Sequence, residues 1–273
     1  MPETNSAAGG GPRLGAIAGD VIGSVHEWAA TKTTDFSLFV EGCLFTDDTV
    51  LTVAVAERML RGGSYVDLYH DYFHAYPHAG YGGNFILWAG GRCRDPYNSW
   101  GNGSAMRVSP IGWACDSLED VLIQSRESAE VTHNHPEGVR GSQATAAAVF
   151  LARSGSTKSD IQAYIEREFG YNLSDRLDDI RRGYCFDVSC QGSVPQSIIA
   201  FLEANTFEDA VRNAISLGGD ADTMACIAGG IAEAYFGGVP SEIESQTLAV
   251  LDERLRGVLS EFRERFGARR TKD

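Results

Sequence analysis

Three windows of this sequence carry apolar side chains on almost every face that a helix could present. Thr49 to Leu60 holds Val50, Leu51, Val53, Val55, Met59 and Leu60, and Ser142 to Ala152 and Thr223 to Phe236 have the same character. A helix that is apolar all round has to be buried, so these windows form the centre of the fold. Period-two runs of β-branched and aromatic residues hardly occur, which argues against a sheet. Amphipathic helices are predicted around the centre. Ser117 to Val131 places Leu118, Val121, Leu122, Ser125 and Ala129 on one face. Phe207 to Leu217 opens after Thr206 as N-cap, with Asp209 three residues on, and closes at Gly218. Ser241 to Phe266 repeats Ile243, Thr247, Leu251, Leu255, Leu259, Phe262 and Phe266 and reads as one long helix. His74 to Val108 is the longest stretch without a clear helix, and a loop of that length usually serves function or forms a lid. No charge run, repeat or low-complexity linker divides the 273 residues. The expectation is an all-α protein, a compact orthogonal multi-helix bundle. One domain would span residues 13–267, between a flexible tail at 1–12 and a basic tail at 268–273.

Charge narrows the function. Lys and Arg number 23 against 37 Asp and Glu, a net −14, which disfavours bulk binding to nucleic-acid backbone or anionic membrane. A phosphate-bearing ligand stays compatible if bound cations neutralise part of the excess. The six cysteines contain no CxxC pair, and several sit in apolar helical surroundings, as reduced thiols of a cytoplasmic chain do. Residues Met1 to Gly11 lack a basic and an apolar signal region, and no apolar run approaches the ~20 residues that span a bilayer. A cytoplasmic monomer is expected.

The chemistry concentrates in short motifs. Phe45-Thr46-Asp47-Asp48-Thr49 precedes one buried helix, and Gly218-Gly219-Asp220-Ala221-Asp222-Thr223 precedes another. Asp and Thr suit helix N-termini for local reasons alone. Four carboxylates meeting in a core, however, would repel one another and raise one another's pKa. Divalent cations relieve that, and Asp carboxylates and Thr hydroxyls are hard oxygen ligands that suit Mg²⁺ or Mn²⁺ and not zinc. Two such clusters could supply a two-metal site. Gly19-Asp20-Val21-Ile22-Gly23 has the Gly-x3-Gly spacing of close helix packing, with Glu27 following at its end. Spacing alone serves a packing helix or a site equally. Trp100-Gly101-Asn102-Gly103-Ser104-Ala105-Met106-Arg107 offers backbone N–H groups that could cradle an anion or form a plain turn. Thr132-His133-Asn134-His135-Pro136 places a His pair before the third buried helix.

These motifs, in this order from about Gly15 to Gly238, resemble the ADP-ribosylglycohydrolase family, which includes the dinitrogenase reductase-activating glycohydrolase and the ADP-ribosyl-acceptor hydrolases. The resemblance implies an all-helical orthogonal fold around a central dimetal cleft, and hydrolysis of the bond between C1″ of ADP-ribose and its acceptor. It implies a metal ligand set of Thr46, Asp47, Asp48, Asp220, Asp222 and Thr223 for two Mg²⁺ or Mn²⁺ per chain. Glu27, Asp48 and Asp220 would carry catalysis. Gly101, Asn102, Gly103, Ser104, Met106 and His133 would hold the ADP-ribose-bearing substrate, and Asp187 to Ser193 loosely resembles an adenosine-side stretch. The acceptor could be a protein side chain, a nucleic-acid base or a small molecule. The loop from His74 to Gly83 is expected to border the entrance, and Trp88 or Trp100 could stack on an acceptor or belong to the core. Two other readings use the same residues: a two-metal phosphohydrolase cutting the pyrophosphate, and a non-enzymatic crystallin-like relative that only binds.

Overall fold

In a computed structural model, which describes residues 13–266, the chain forms fifteen helices and no strand among the described residues. The tails expected at 1–12 and 268–273 lie outside them. In chain order the helices are α1 (Gly15–Gly23), α2 (Asp47–Arg61), α3 (Tyr65–Ala75), α4 (Gly83–Gly90), α5 (Gly103–Met106), α6 (Ser109–Ala114), α7 (Leu118–Glu130) and α8 (Pro136–Arg153). They continue as α9 (Lys158–Phe169), α10 (Leu177–Gly183), α11 (Cys190–Leu202), α12 (Phe207–Ile215), α13 (Ala221–Phe236), α14 (Ser241–Val250) and α15 (Glu253–Phe266). No helix among the described residues is long and apolar enough to cross a membrane.

The three apolar windows become α2, α8 and α13. Every residue from Ala221 to Ala234 is buried, because α1, α8, α11 and α12 all pack on α13. The short helix α1 is as deeply buried as α13 along its whole length. Its glycines explain how. Gly15, Gly19 and Gly23 form one ridge facing α13, and there the two backbones touch. A Cβ on Gly19 would lie 2.0 Å from the Ala225 carbonyl oxygen, and one on Gly23 would lie 2.5 Å from Asp222 Cα. At the start of α1 the Gly15 N–H donates to Glu233 Oε2 at 2.8 Å, so a buried carboxylate of α13 satisfies a helix-terminal amide.

Two expectations need correction. The long helix over Ser241 to Phe266 is two helices, broken at Leu251 and Asp252. Leu251 is extended, and Asp252 accepts the Leu255 N–H through Oδ1 at 2.9 Å, capping α15. The apolar period runs through the break because Leu251 and Leu255 are buried on both sides of it. The stretch from His74 to Val108 is not all loop, since it holds α4 and the single turn α5. Glu27 follows α1 as expected, in the turns after Gly23.

The glycine ridge yields a prediction with opposite signs at two sites. Gly19→Ala forces two backbones apart and should cost about 3 kcal/mol. Gly257→Ala, in α15 with open space around the new Cβ, should be neutral or stabilise by about 0.5–1 kcal/mol. Denaturant unfolding of both variants checks this, and equal effects would remove the packing role given to Gly19.

Candidate functional site

The N-termini of α2 and α13 meet beside the middle of α1. Thr46 is the N-cap of α2, accepting the Asp48 N–H at 3.3 Å, so Asp47 and Asp48 fall in its first turn. Asp220 stands at the N-cap position of α13, with Asp222 in the first turn. Both helices point the positive end of their dipoles at the carboxylates they carry.

Asp20 of α1 joins the two. It is fully buried and accepts from the Thr46 N–H (3.0 Å) and hydroxyl (2.7 Å), from the Thr49 N–H (3.0 Å), and from the Thr49 hydroxyl. Asp20 therefore fastens the start of α2 to α1, as α1 is fastened to α13. Oxygens of Asp20, Asp48 and Asp222 lie within 4.8 Å of one another, and so do those of Glu27, Asp220 and Asp222. The Thr223 hydroxyl donates to Asp48 Oδ2 at 3.2 Å, and Asn102 Nδ2 donates to Asp220 Oδ2 at 2.7 Å. Asp48 Oδ1 is buried with no hydrogen-bond partner. An orphaned carboxylate oxygen among hard oxygen donors is what a divalent cation would fill.

Electrostatics agree with that geometry. Burial, then the charges of Asp222 and Asp20, hold the carboxyls of Asp47 and Asp48 well above the usual range. Burial and Asp220 do the same to Asp222. Asp220 is pushed up to about 6 by burial, moderated by its hydrogen bonds to Asp222 and Asn102. Glu27 is pushed up to about 7 by burial and by Asp222. Burial raises Asp20 as well, against the pull of its four donors.

The cluster forms one wall of a cleft of about 450 Å³. Glu27, Asp47, Asp48, Asp220, Asp222 and Thr223 line it, as do Gly101, Asn102, Gly103, Met106 and His133. Gly80 to Gly83 border it, as expected for the loop from His74, and Trp28 stacks on Phe186 at its mouth with centroids 4.9 Å apart. Two expected site residues stand behind the wall. The Ser104 hydroxyl is buried and donates to the Gly138 carbonyl at 2.7 Å, and Thr46 is committed to Asp20. Trp88 belongs to the core, while Trp100 is half exposed. Sequence reasoning quoted Asp20 without giving it a role. Its signal was a lone carboxylate in a helix otherwise made of glycine and apolar residues.

A carboxyl whose folded pKa is raised contributes stability that is fully present below its unfolded value and lost as pH rises through its folded value. Asp220 and Glu27 are raised from 3.8 and 4.5 to about 6 and about 7. In chelator, these two groups should therefore make the melting temperature fall between about pH 4 and about pH 7. Asp220→Asn keeps an oxygen for Asn102 and removes one charge, so it should flatten that fall and melt above the wild type at the alkaline end. Calorimetry across the window decides, and an Asn variant that melts lower throughout contradicts the repulsion described here.

Comparison with known proteins bears on the same residues. The family model for ADP-ribosylglycohydrolase matches residues 11–272. The ADP-ribosylhydrolase ARH3 of Bos taurus is 31% identical over 305 aligned residues, covering 82% of this chain and 83% of that protein. The ADP-ribosylarginine hydrolase Tri1 of Pseudomonas putida (strain GB-1) is 27% identical, covering 88% of this chain and 74% of its own length. A solved structure of an ADP-ribosylglycohydrolase-related protein complex superposes with a TM-score of 0.65 at 24% identity, over 93% of this chain and 97% of the other, and shares the fold. With its family motifs gathered around one acidic cleft, the chain belongs to the ADP-ribosylglycohydrolase family.

Proposed function

We propose that this chain is a divalent-cation-dependent hydrolase that cleaves the C1″ glycosidic bond between ADP-ribose and an acceptor, reversing ADP-ribosylation. The observation that carries it is the pair of carboxylate triads sharing Asp222 in the wall of a ligand-sized cleft. Asp20, Asp48 and Asp222 would hold one cation and Asp220 with Asp222 a second, with Asp47 and Thr223 completing the set and Thr46 holding Asp20 in place. When bound, the cations would orient the ribose hydroxyls and make water a nucleophile near neutral pH.

The chain's own residues account for the rest. Asn102 fixes the Asp220 carboxylate by its 2.7 Å hydrogen bond, so that the oxygen facing the cleft has one direction. Glu27, poised near neutrality by burial and Asp222, can take a proton from water or return it to the leaving group. The balance is that of hydrolysis: hydroxyl goes to C1″, and the proton goes to the acceptor atom released. Positive charge growing on the ribose faces the carboxylates of the cleft, which stabilise it. The Gly101–Gly103 backbone and His133 would hold the phosphate and distal ribose. Arg107 is the one basic residue among the described residues that line the cleft, so cations and amides would supply most of the attraction for the pyrophosphate.

Mass spectrometry of products from a panel of ADP-ribosylated acceptors, with Mg²⁺ or Mn²⁺ and then with chelator, tests the reading. Free ADP-ribose is expected with metal only. Release of AMP would mean pyrophosphate cleavage, and binding without turnover would mean a relative that lost catalysis. Millimolar metal should also raise the melting temperature after chelation, since a ligand at a hundredfold excess over its Kd stabilises by about 2.7 kcal/mol.

Substitutions separate the roles. Asp48→Asn and Asp220→Asn should each lower turnover by about a hundredfold or more while leaving the helical fold intact. Glu27→Gln should lower kcat by about a hundredfold or more with metal affinity nearly unchanged, because the amide keeps the shape but accepts no proton. Calorimetric metal titration beside steady-state kinetics reads both quantities. If metal affinity collapses in Glu27→Gln, the glutamate is a ligand and the proton role is wrong.

A further inference from the structure

Arg107 ends the Gly101–Arg107 motif and has no role in the chemistry above, yet it is the largest side chain with no solvent exposure among the described residues. Its guanidinium makes no ion pair among them. It lies 4.4 Å over the Tyr69 ring, and Nη2 donates to the Ser128 carbonyl at 2.8 Å and to the Thr132 hydroxyl at 2.9 Å. Nε and Nη1 are buried with no acceptor. A buried cation without an ion pair is expensive, and of the two groups it holds Thr132 is the one that leads on to the cleft.

Thr132 is itself fully buried, and its Oγ1 stands 2.8 Å from His133 Nδ1. The other side of the His133 ring faces the cleft. A Cβ on Gly103 would come within 3.3 Å of Nε2 and one on Gly101 within 3.7 Å, so Nε2 lies against the glycine loop. Nε2 has no hydrogen bond to any described residue.

A proton count underlies the arrangement. A guanidinium can only donate, so Thr132 Oγ1 accepts from Arg107 and retains one proton of its own. Burial and the Arg107 charge hold the His133 pKa well below its usual value, so the ring is neutral, with one N–H and one bare nitrogen. The other titratable neighbour is Tyr97, whose ring lies 5.9 Å from that of His133 and whose hydroxyl, kept protonated by burial, hydrogen-bonds the Thr132 side chain. With Arg107 and Tyr97 both donating, the two lone pairs of Oγ1 are taken and its own proton is left for His133. We infer that Arg107 and Thr132 form a positioning relay. Thr132 donates its hydroxyl proton to His133 Nδ1, fixing the ring in the Nε2–H tautomer with that donor aimed at the cleft beside Gly101 and Gly103.

The relay turns an uncharged ring into a hydrogen-bond donor of fixed direction. The opposite tautomer would present a lone pair to the same space and repel a ligand oxygen. That the oxygen belongs to ADP-ribose rests on the function proposed above, whereas the tautomer does not.

Long-range ¹H–¹⁵N spectra of the full chain labelled at histidine, recorded without nucleotide, test the relay directly, with the His133 signals identified by their loss in His133→Gln. The wild type should show an Nε2–H ring whose Nδ1 accepts a hydrogen bond. Thr132→Val should move the Nδ1 resonance to that of an unbonded nitrogen, and Thr132→Ser should restore it. ADP-ribose affinity, by calorimetry, should weaken about tenfold in Thr132→Val and recover in Thr132→Ser. A wild-type ring protonated on Nδ1 or on both nitrogens, or an Nδ1 resonance indifferent to Thr132→Val, overturns the relay. ADP-ribose that fails to bind the wild type would overturn the substrate assignment, while the tautomer would still be read from the nucleotide-free spectra.

Discussion

The contact on which the rest depends is backbone against backbone. Where α1 crosses α13, the glycine ridge lets the Gly19 position come close enough that a single methyl carbon would lie 2.0 Å from a carbonyl oxygen. That approach brings the Asp20 carboxylate, carried by α1, within reach of Asp222 on α13 and Asp48 on α2. With a larger residue at position 19 the two helices would stand apart, and the three carboxylates would no longer converge. Packing density and chemistry are set by the same atoms.

Convergence of like charges has to be offset, and the fold does so with several small effects. Two helix N-termini aim their dipoles at the cluster. Thr46, Thr49 and Asn102 supply neutral donors to Asp20 and Asp220. Burial then favours carboxyls that share or retain protons over a full set of anions. What remains unsatisfied is above all Asp48 Oδ1, on a residue that lines the cleft. The stored repulsion sits where a cation could relieve it, and the apolar length of α13 that holds the cluster rigid lies behind it.

Much of this was legible in the sequence. Helices that are apolar almost all round belong in the core, and the acidic starts of two of them drew attention to the carboxylates that line the candidate site. The break at Asp252 was hidden because a buried apolar period survives it. The helix α4 was hidden because Gly82 to Gly91 reads as loop by composition, although Phe85 and Trp88 pack inward. Ser104 looked like a ligand residue because it sits in a glycine loop, and only the fold shows its hydroxyl turned toward Gly138. The link from Arg107 through Thr132 to His133 bridges 25 positions of sequence, and no local pattern announces it.

Asp20 carries a consequence for divergence. Its carboxylate is bound by Thr46 and Thr49 and so stitches α2 to the central pair of helices, a duty that persists whether or not chemistry is performed. Asp220 and Asp222 stand at a helix start where a neutral residue can still fold. Descendants released from selection on turnover would therefore lose the carboxylates of α13 first and that of α1 last. The order of loss along a lineage would date the retirement of the enzyme separately from the decay of its scaffold.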